Sequence, residues 1–162
     1  MAGIHAIFPN YNFKQDKLRV LFVCLGNICR SPTAEILFNL LYDGDKAVAY
    51  SRGVDYWHYG EPICPLMKEI LENEGINVPK HRSRILNPSE VYYYSLIIPV
   101  DTKVEAYLKH LLSKKYHKKI LPFKLLTEGK EVPDPYKKDL LAAKQTYAII
   151  RQGVEKLIDL IK

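Results

Sequence analysis

Residues 18–31 read LRVLFVCLGNICRS. Leu18 to Cys24 is a short, almost continuous apolar run, which suits a strand buried on both faces of a parallel sheet. A loop with Gly26 and Asn27 inside it follows, and then Pro32. Proline is favoured at the first helical position and a serine just before it can cap, so the spacing predicts a helix opening at Ser31-Pro32. Ala34, Leu37, Phe38 and Leu41 then recur at helical intervals, and Asp43-Gly44-Asp45 closes the run. The first unit is therefore strand, tight loop, helix.

The alternation continues outward from this unit. Ala47 to Ser51 reads as a second strand, and a helix holding Leu66, Met67, Ile70 and Leu71 stops at Gly75. Ser95 to Val100 is a third strand, with Pro99 marking its end. Asp101 and Thr102 cap a helix carrying Val104, Tyr107, Leu108 and Leu111, and Lys119 to Leu121 is a short fourth strand. A last helix carries Ala143, Tyr147, Ile150, Val154, Leu157 and Ile161. Strands alternating with helices predict an α/β fold with helices on both faces of the sheet. The expected sheet is parallel and four-stranded in the order 2-1-3-4, with the loop of interest after strand 1. Such sheets bind ligands beyond the carboxyl ends of their strands, so that loop is where chemistry is expected.

The chain has 162 residues, enough for one domain with one core. Its 48% apolar and 26% charged residues are an ordinary globular mixture rather than a disordered one. The apolar runs are too short to span a membrane, and Met1 to Lys17 lacks the basic-then-apolar order of a signal peptide. Residues 1–17 read as an N-terminal extension and residues 18–162 as the domain. Three cysteines, Cys24, Cys29 and Cys64, argue against a disulfide scaffold and for a reducing, cytoplasmic setting in which a thiol is free to react. A net charge of +6 favours acidic or phosphorylated partners only weakly. Lys114 to Lys119 reads as a solvated helix end, and no motif supports a nucleic-acid or membrane partner.

The loop itself carries the chemistry. Cys24 ends a buried strand, and six residues later Arg30 stands beside the start of a helix. Gly26 and Asn27, between them, are the residue types that most easily take unusual backbone angles. Such a loop turns successive backbone N–H groups toward one point and, with the helix N-terminus, forms an anion cradle. The Arg30 guanidinium adds a planar fork matched to phosphate oxygens. Thiolates near cations and helix N-termini are stabilised, with pKa values in the range of about 3.5–7.5. Cys24 is thereby expected to be a nucleophile aimed at phosphorus, with Ser31 donating to its sulfur.

VLFVCLGNICRSPTAE closely resembles the N-terminal signature of the low-molecular-weight protein tyrosine phosphatases, and EVPDPY, with Asp134-Pro135-Tyr136, is similar to that family's acid loop. The resemblance covers residues 18 to 162. It implies hydrolysis of protein phosphotyrosine through a phosphocysteine intermediate, with no cofactor and no metal. It implies Cys24 as nucleophile, Arg30 as transition-state clamp and Asp134 as general acid, then general base. Leu25, Gly26, Asn27, Ile28, Cys29 and Ser31 build the phosphate loop, with Asn27 bonding toward Ser51 and His81. Leu25, Trp57 and Tyr136 match positions that wall the substrate ring. Cys29 matches a loop cysteine that pairs with the nucleophile under oxidation, so a Cys24–Cys29 disulfide is the expected redox switch. Cys64 receives no role.

Several positions depart from the family pattern. Cys64-Pro65-Leu66 stands where Asp-Pro-Arg is common, Val104 stands where an asparagine is common, and Lys137 replaces a second tyrosine. These changes bear on the rim and on substrate choice. An arsenate reductase of the same fold needs a further pair of cysteines, and only Cys64 lies beyond the loop. Phosphoarginine phosphatases of the family carry threonine where Ile28 stands. A phosphate-binding module without catalysis has no need of Cys24, Arg30 and Asp134 together.

Overall fold

The computed structural model describes residues 17–162. The expected N-terminal extension, Lys17 aside, lies outside the described residues. Strand β1, Leu18–Cys24, holds Val20, Leu21, Phe22 and Val23 with no solvent exposure. A strand so apolar on both faces is stable only in the middle of a sheet covered by other elements. It pairs in parallel with β2, Ala47–Gly53, on one edge and with β3, Leu96–Pro99, on the other. The register runs from Leu18 opposite Ala47 to Cys24 opposite Gly53, and from Val20 opposite Leu96 to Val23 opposite Pro99.

The sheet is three-stranded in the order β2-β1-β3. Contrary to expectation, Lys119 to Leu121 does not form a fourth strand. Lys114–Lys119 winds into a 3-10 turn and Pro122 follows at once, so only two residues are left to pair. They make a single parallel bridge, Ile120 to Ile97, with the Leu121 N–H donating to the Ile97 carbonyl at 2.9 Å. The bridge lies on the outer edge of β3, where the fourth strand was placed.

Helix α1, Arg30–Leu41, packs on β1 and β2 and against the long C-terminal helix. It opens at Arg30, two residues ahead of Pro32, so Ser31 lies inside the helix and not at its cap. Helix α2 is Pro65–Asn73 and α3 is Thr102–Leu111. Asp101 caps α3, its Oδ1 accepting from the Val104 N–H at 2.8 Å. Helix α4, Leu140–Ile161, buries Ala143, Tyr147, Ile150, Val154, Leu157 and Ile161 at regular helical spacing. Phe22 of β1 meets Phe38 of α1 and Phe123, with ring centroids 6.4 and 6.3 Å away. Gly153 of α4 gives Phe123 its room, because a Cβ there would run into the ring.

The chain leaves β1 for β2 on one side and returns to β3 on the other. That reversal puts the loop after β1 at the switch point of the sheet, the place where parallel sheets hold ligands.

Candidate active site

The loop between Cys24 and Arg30 is shaped around Asn27. Its φ of 58° lies in the left-handed region, which asparagine tolerates better than most side chains. The fully buried Asn27 side chain spends its hydrogen-bonding capacity on three elements. Nδ2 donates to Ser31 Oγ at 2.8 Å and to Ser51 Oγ at 3.0 Å, and Oδ1 accepts from the Arg84 N–H at 2.9 Å. The Asn27 carbonyl lies 2.7 Å from His81 Nε2. Ser83 Oγ donates to the Gly26 carbonyl at 2.8 Å, and the Leu25 carbonyl accepts the N–H groups of Val54 and Asp55, both at 2.9 Å. The carbonyls of the loop are therefore tied outward into the protein. Among the described residues, the N–H groups of Leu25, Gly26, Ile28 and Cys29 find no acceptor in the protein. Donors so arranged suit an anion.

Two glycines permit this packing. A Cβ on Gly53, at the end of β2, would stand 2.8 Å from the Leu25 carbonyl oxygen and 3.0 Å from the Asn27 nitrogen, both backbone atoms. A Cβ on Gly26 would meet the His58 ring at 2.8 Å. The loop lies directly on the strand end only because Gly53 carries no side chain, and Gly26 leaves room for the His58 ring.

Cys24 is 2% exposed. Its sulfur accepts from the Asn27 N–H at 3.2 Å and lies 3.0 Å from Ser31 Oγ. Ser31 Oγ already accepts from Asn27, so its one proton goes to the sulfur or to the more distant Arg52 carbonyl at 3.4 Å. Arg30 is buried, and Nη1 donates to Asp101 Oδ2 at 2.7 Å and to the Val132 carbonyl at 3.0 Å. Its Nη2 lies 3.8 Å from Asp134 Oδ2. Asp134 sits in a turn closed by the Tyr136 N–H on its Oδ1 at 3.0 Å, and its side chain is partly open to solvent. Cys24, Arg30 and Asp134, separated by as much as 110 positions in sequence, thus line one pocket of about 60 Å³ with Leu25, Gly26, Ile28, Cys29, His58 and Tyr136. The room suits a small anionic group rather than a drug-sized ligand, which needs about 300–1,000 Å³. A larger groove, about 1,000 Å³, runs between α2 and α4 and shares no residue with this pocket.

The rim is made by Leu25, 46% exposed, and by Tyr136, 41% exposed, whose ring meets His58 edge-on with centroids 4.7 Å apart. Trp57 stands apart from the pocket lining and is 83% exposed. The wall expected at Trp57 is occupied by its neighbour His58. One step along an aromatic loop reverses which side chain faces in, and residue types alone do not choose between Trp57 and His58. The sequence marks Asp101 only as a helix cap, yet its second oxygen holds Arg30. Its position just beyond the carboxyl end of β3 is the signal that points to the site.

Ser51 and His81 support the loop from behind. Ser51 Oγ, while accepting from Asn27, donates to Glu35 Oε1 at 2.5 Å. Burial pushes the Glu35 carboxyl above its ordinary value, with the Ser51 hydrogen bond and the charges of Arg52 and Arg84 pulling the other way. Burial likewise pushes His81 below its ordinary value, assisted by the charges of Arg84 and Arg52 and opposed by the bond to Asn27. A neutral His81 donates Nε2–H to the Asn27 carbonyl.

The cysteines depart from expectation. Cys29 is disulfide-bonded to Cys64, with Cα atoms 5.3 Å apart, and Cys24 is the free thiol. The Cys24–Cys29 pair that the resemblance implies under oxidation is not the pair present here, and Cys64, to which the resemblance gives no role, holds Cys29. Both members of the pair are buried, Cys29 just before α1 and Cys64 just before α2. Spacing could not reveal this, because α2 is brought to the loop only by the tertiary fold.

The sequence profile of the family described as "Low molecular weight phosphotyrosine protein phosphatase" matches residues 19–162. The low molecular weight protein-tyrosine-phosphatase YfkJ of Bacillus subtilis is 33% identical over 149 residues, covering 87% of this chain and 94% of the relative. Its crystal structure superposes with a TM-score of 0.81, covering 91% of this chain and 96% of that one. A protein tyrosine phosphatase of Entamoeba histolytica, crystallised with Hepes in the active site, superposes with a TM-score of 0.83 at 27% identity, covering 90% of this chain and 97% of that one. Fold, site geometry and relatives agree, and the chain belongs to the low molecular weight phosphotyrosine protein phosphatase family.

Proposed function

We propose that this phosphotyrosine phosphatase works by passing the phosphoryl group to Cys24 and then to water. The phosphate of the substrate enters the pocket with its terminal oxygens on the loop N–H groups and the Arg30 guanidinium. The Cys24 sulfur attacks phosphorus in line with the phenolic oxygen. Asp134 gives that oxygen a proton as the bond breaks, a contribution of about 10²–10⁴-fold for a well-placed general acid. In the second step Asp134 takes a proton from the attacking water, and Ser31 donates to the departing sulfur. The transition state is stabilised by groups already held in place, since Asp101 and the Val132 carbonyl fix Arg30 before substrate arrives.

The observation that carries this reading is the convergence of Cys24, Arg30 and Asp134 on one pocket, with the N–H groups of Leu25, Gly26, Ile28 and Cys29 left free of acceptors among the described residues. Leu25, Ile28, His58 and Tyr136 form an apolar and aromatic mouth that suits an aryl ester. We take residues 18–162 as the catalytic domain, phosphotyrosyl proteins as its substrates and the cytoplasm as its setting. The test is phosphate release from a phosphotyrosyl peptide in the presence of a chelator. Turnover by the wild type and none by Cys24→Ser is the expected result. Equal turnover by the two proteins would remove Cys24 from the mechanism.

A further inference from the structure

Cys29 stands between two other thiol positions. Its side chain lines the pocket that also contains Cys24, and its sulfur is bonded to Cys64. The Cys64 N–H donates to the Ile28 carbonyl at 2.7 Å, so backbone as well as sulfur ties the start of α2 to the loop. Reducing the disulfide therefore leaves the Cys29 and Cys64 thiols side by side. Cys24 has donors at its sulfur, the Asn27 N–H and the Ser31 hydroxyl, that receive negative charge. All three cysteines are thus gathered at this loop, Cys24 and Cys29 lining one pocket and Cys29 bonded to Cys64.

We propose that Cys64 completes a thiol relay that frees Cys24 after oxidation, so that the protein reduces hydroperoxides at the expense of a dithiol. The proposal rests on the reading of Cys24 as the reactive thiolate. The Cys24 thiolate attacks one peroxide oxygen; the O–O bond breaks, hydroxide leaves and is protonated to water, and Cys24 becomes a sulfenic acid. The Cys29 thiolate attacks the Cys24 sulfur and displaces its hydroxyl as a second water, forming a Cys24–Cys29 disulfide. The Cys64 thiolate then attacks the Cys29 sulfur. The Cys24–Cys29 bond breaks, and its electron pair returns to Cys24 as thiolate. Peroxide has been reduced to water, the Cys29–Cys64 pair carries the oxidation, and an external dithiol resets it by exchange. The disulfide present in the structure is the end point of this sequence. Without Cys64 the relay stops one step earlier, with the nucleophile blocked.

The test treats fully reduced, desalted protein with an equimolar amount of hydrogen peroxide. Samples are quenched over time by alkylation, mapped for disulfides without reduction, and assayed for phosphate release. Wild type is expected to pass through Cys24–Cys29, to end with Cys29–Cys64, and to keep most of its turnover. Cys64→Ser is expected to stop at Cys24–Cys29 and to lose turnover until thiol is added. Cys24→Ser is expected to form Cys29–Cys64 far more slowly than wild type. The relay is overturned if Cys64→Ser keeps as much turnover as wild type, if wild type ends with Cys24–Cys29, or if Cys24→Ser oxidises at the wild-type rate. Should Cys64→Ser fold poorly, wild type against Cys24→Ser still decides. Turnover of the reduced wild type before peroxide tests the catalytic reading separately, and the order of disulfides tests the relay whatever that turnover is.

Discussion

Asp101 grips Arg30 with one carboxylate oxygen and the start of α3 with the other: Oδ2 is 2.7 Å from Nη1, and Oδ1 accepts from Val104 at 2.8 Å. One side chain thus sets both the helix and the guanidinium that faces the pocket. Asp101→Ala removes both, and leaves the buried Arg30 with only the Val132 carbonyl and the more distant Asp134. Loss of a cap and of a charged hydrogen bond should lower unfolding stability by about 1–3 kcal/mol. Asp101→Asn keeps an oxygen for the cap but weakens the hold on Arg30. We expect it to remain close to wild type in denaturant melts while kcat falls by at least about tenfold, a barrier change of about 1.4 kcal/mol. Unchanged kcat in Asp101→Asn would show that Arg30 needs no such partner.

Among the described residues, Asp134 is the only carboxylate in the pocket lining. Asp134→Asn should lower kcat for a phosphotyrosyl peptide by about 10²–10⁴-fold. The loss should shrink for an aryl phosphate whose leaving group departs readily as an anion, because that oxygen needs no proton. A loss independent of the leaving group would argue for a structural role of Asp134 instead.

Gly53 tests the packing of the loop on β2. Gly53→Ala places a methyl group 2.8 Å from the Leu25 carbonyl oxygen, a backbone atom that must move. Overpacking of this kind costs about 1–3 kcal/mol. A shift of about 1 Å in the loop is enough to reduce turnover by about 10²-fold. Steady-state kinetics beside a thermal melt measure both, and a fully active Gly53→Ala would mean that the loop is free to lift from the strand.

The site was only partly legible in the sequence. Cys24 and Arg30 could be found because they are local: a buried strand, a short loop and a helix place them without help from distant residues. Asp134 required a second motif, EVPDPY, legible only through its resemblance to the family's acid loop. The existence of β1, β2 and β3 followed from apolar runs alternating with helices, whereas Ile120 and Leu121 were too few to become a strand between a 3-10 turn and Pro122. Asp101, His58 and Cys64 reach the site through tertiary packing. Asp101 gave only a capping signal, His58 was hidden beside a more conspicuous Trp57, and Cys64 depends on where α2 docks.

His81 gives stability a pH dependence. Its folded-state value lies below the ordinary 6.5, chiefly through burial. As pH falls below about 6.5 the unfolded chain takes up a proton before the folded one does, so stability declines in that window and is intact above it. Glu35 acts with the opposite sign, since its raised value lets the folded state hold a proton at higher pH than the unfolded chain. His81→Gln retains a donor toward the Asn27 carbonyl but does not titrate. The stability of wild type relative to His81→Gln, measured by urea unfolding, should therefore fall between pH 7.5 and pH 5.5, on the two sides of that about 6.5 midpoint. A difference constant across that range would contradict the assignment of burial as the dominant influence.

The central claim, that Cys24 carries the phosphoryl group between substrate and water, is tested most directly by trapping it. Reduced protein is mixed with a phosphotyrosyl peptide, quenched on the timescale of a single turnover, and mapped under conditions that preserve thiophosphate esters. The account predicts a phosphoryl group on the peptide containing Cys24, absent from Cys24→Ser. Turnover without any phosphorylated Cys24, or a label on another residue, would contradict it.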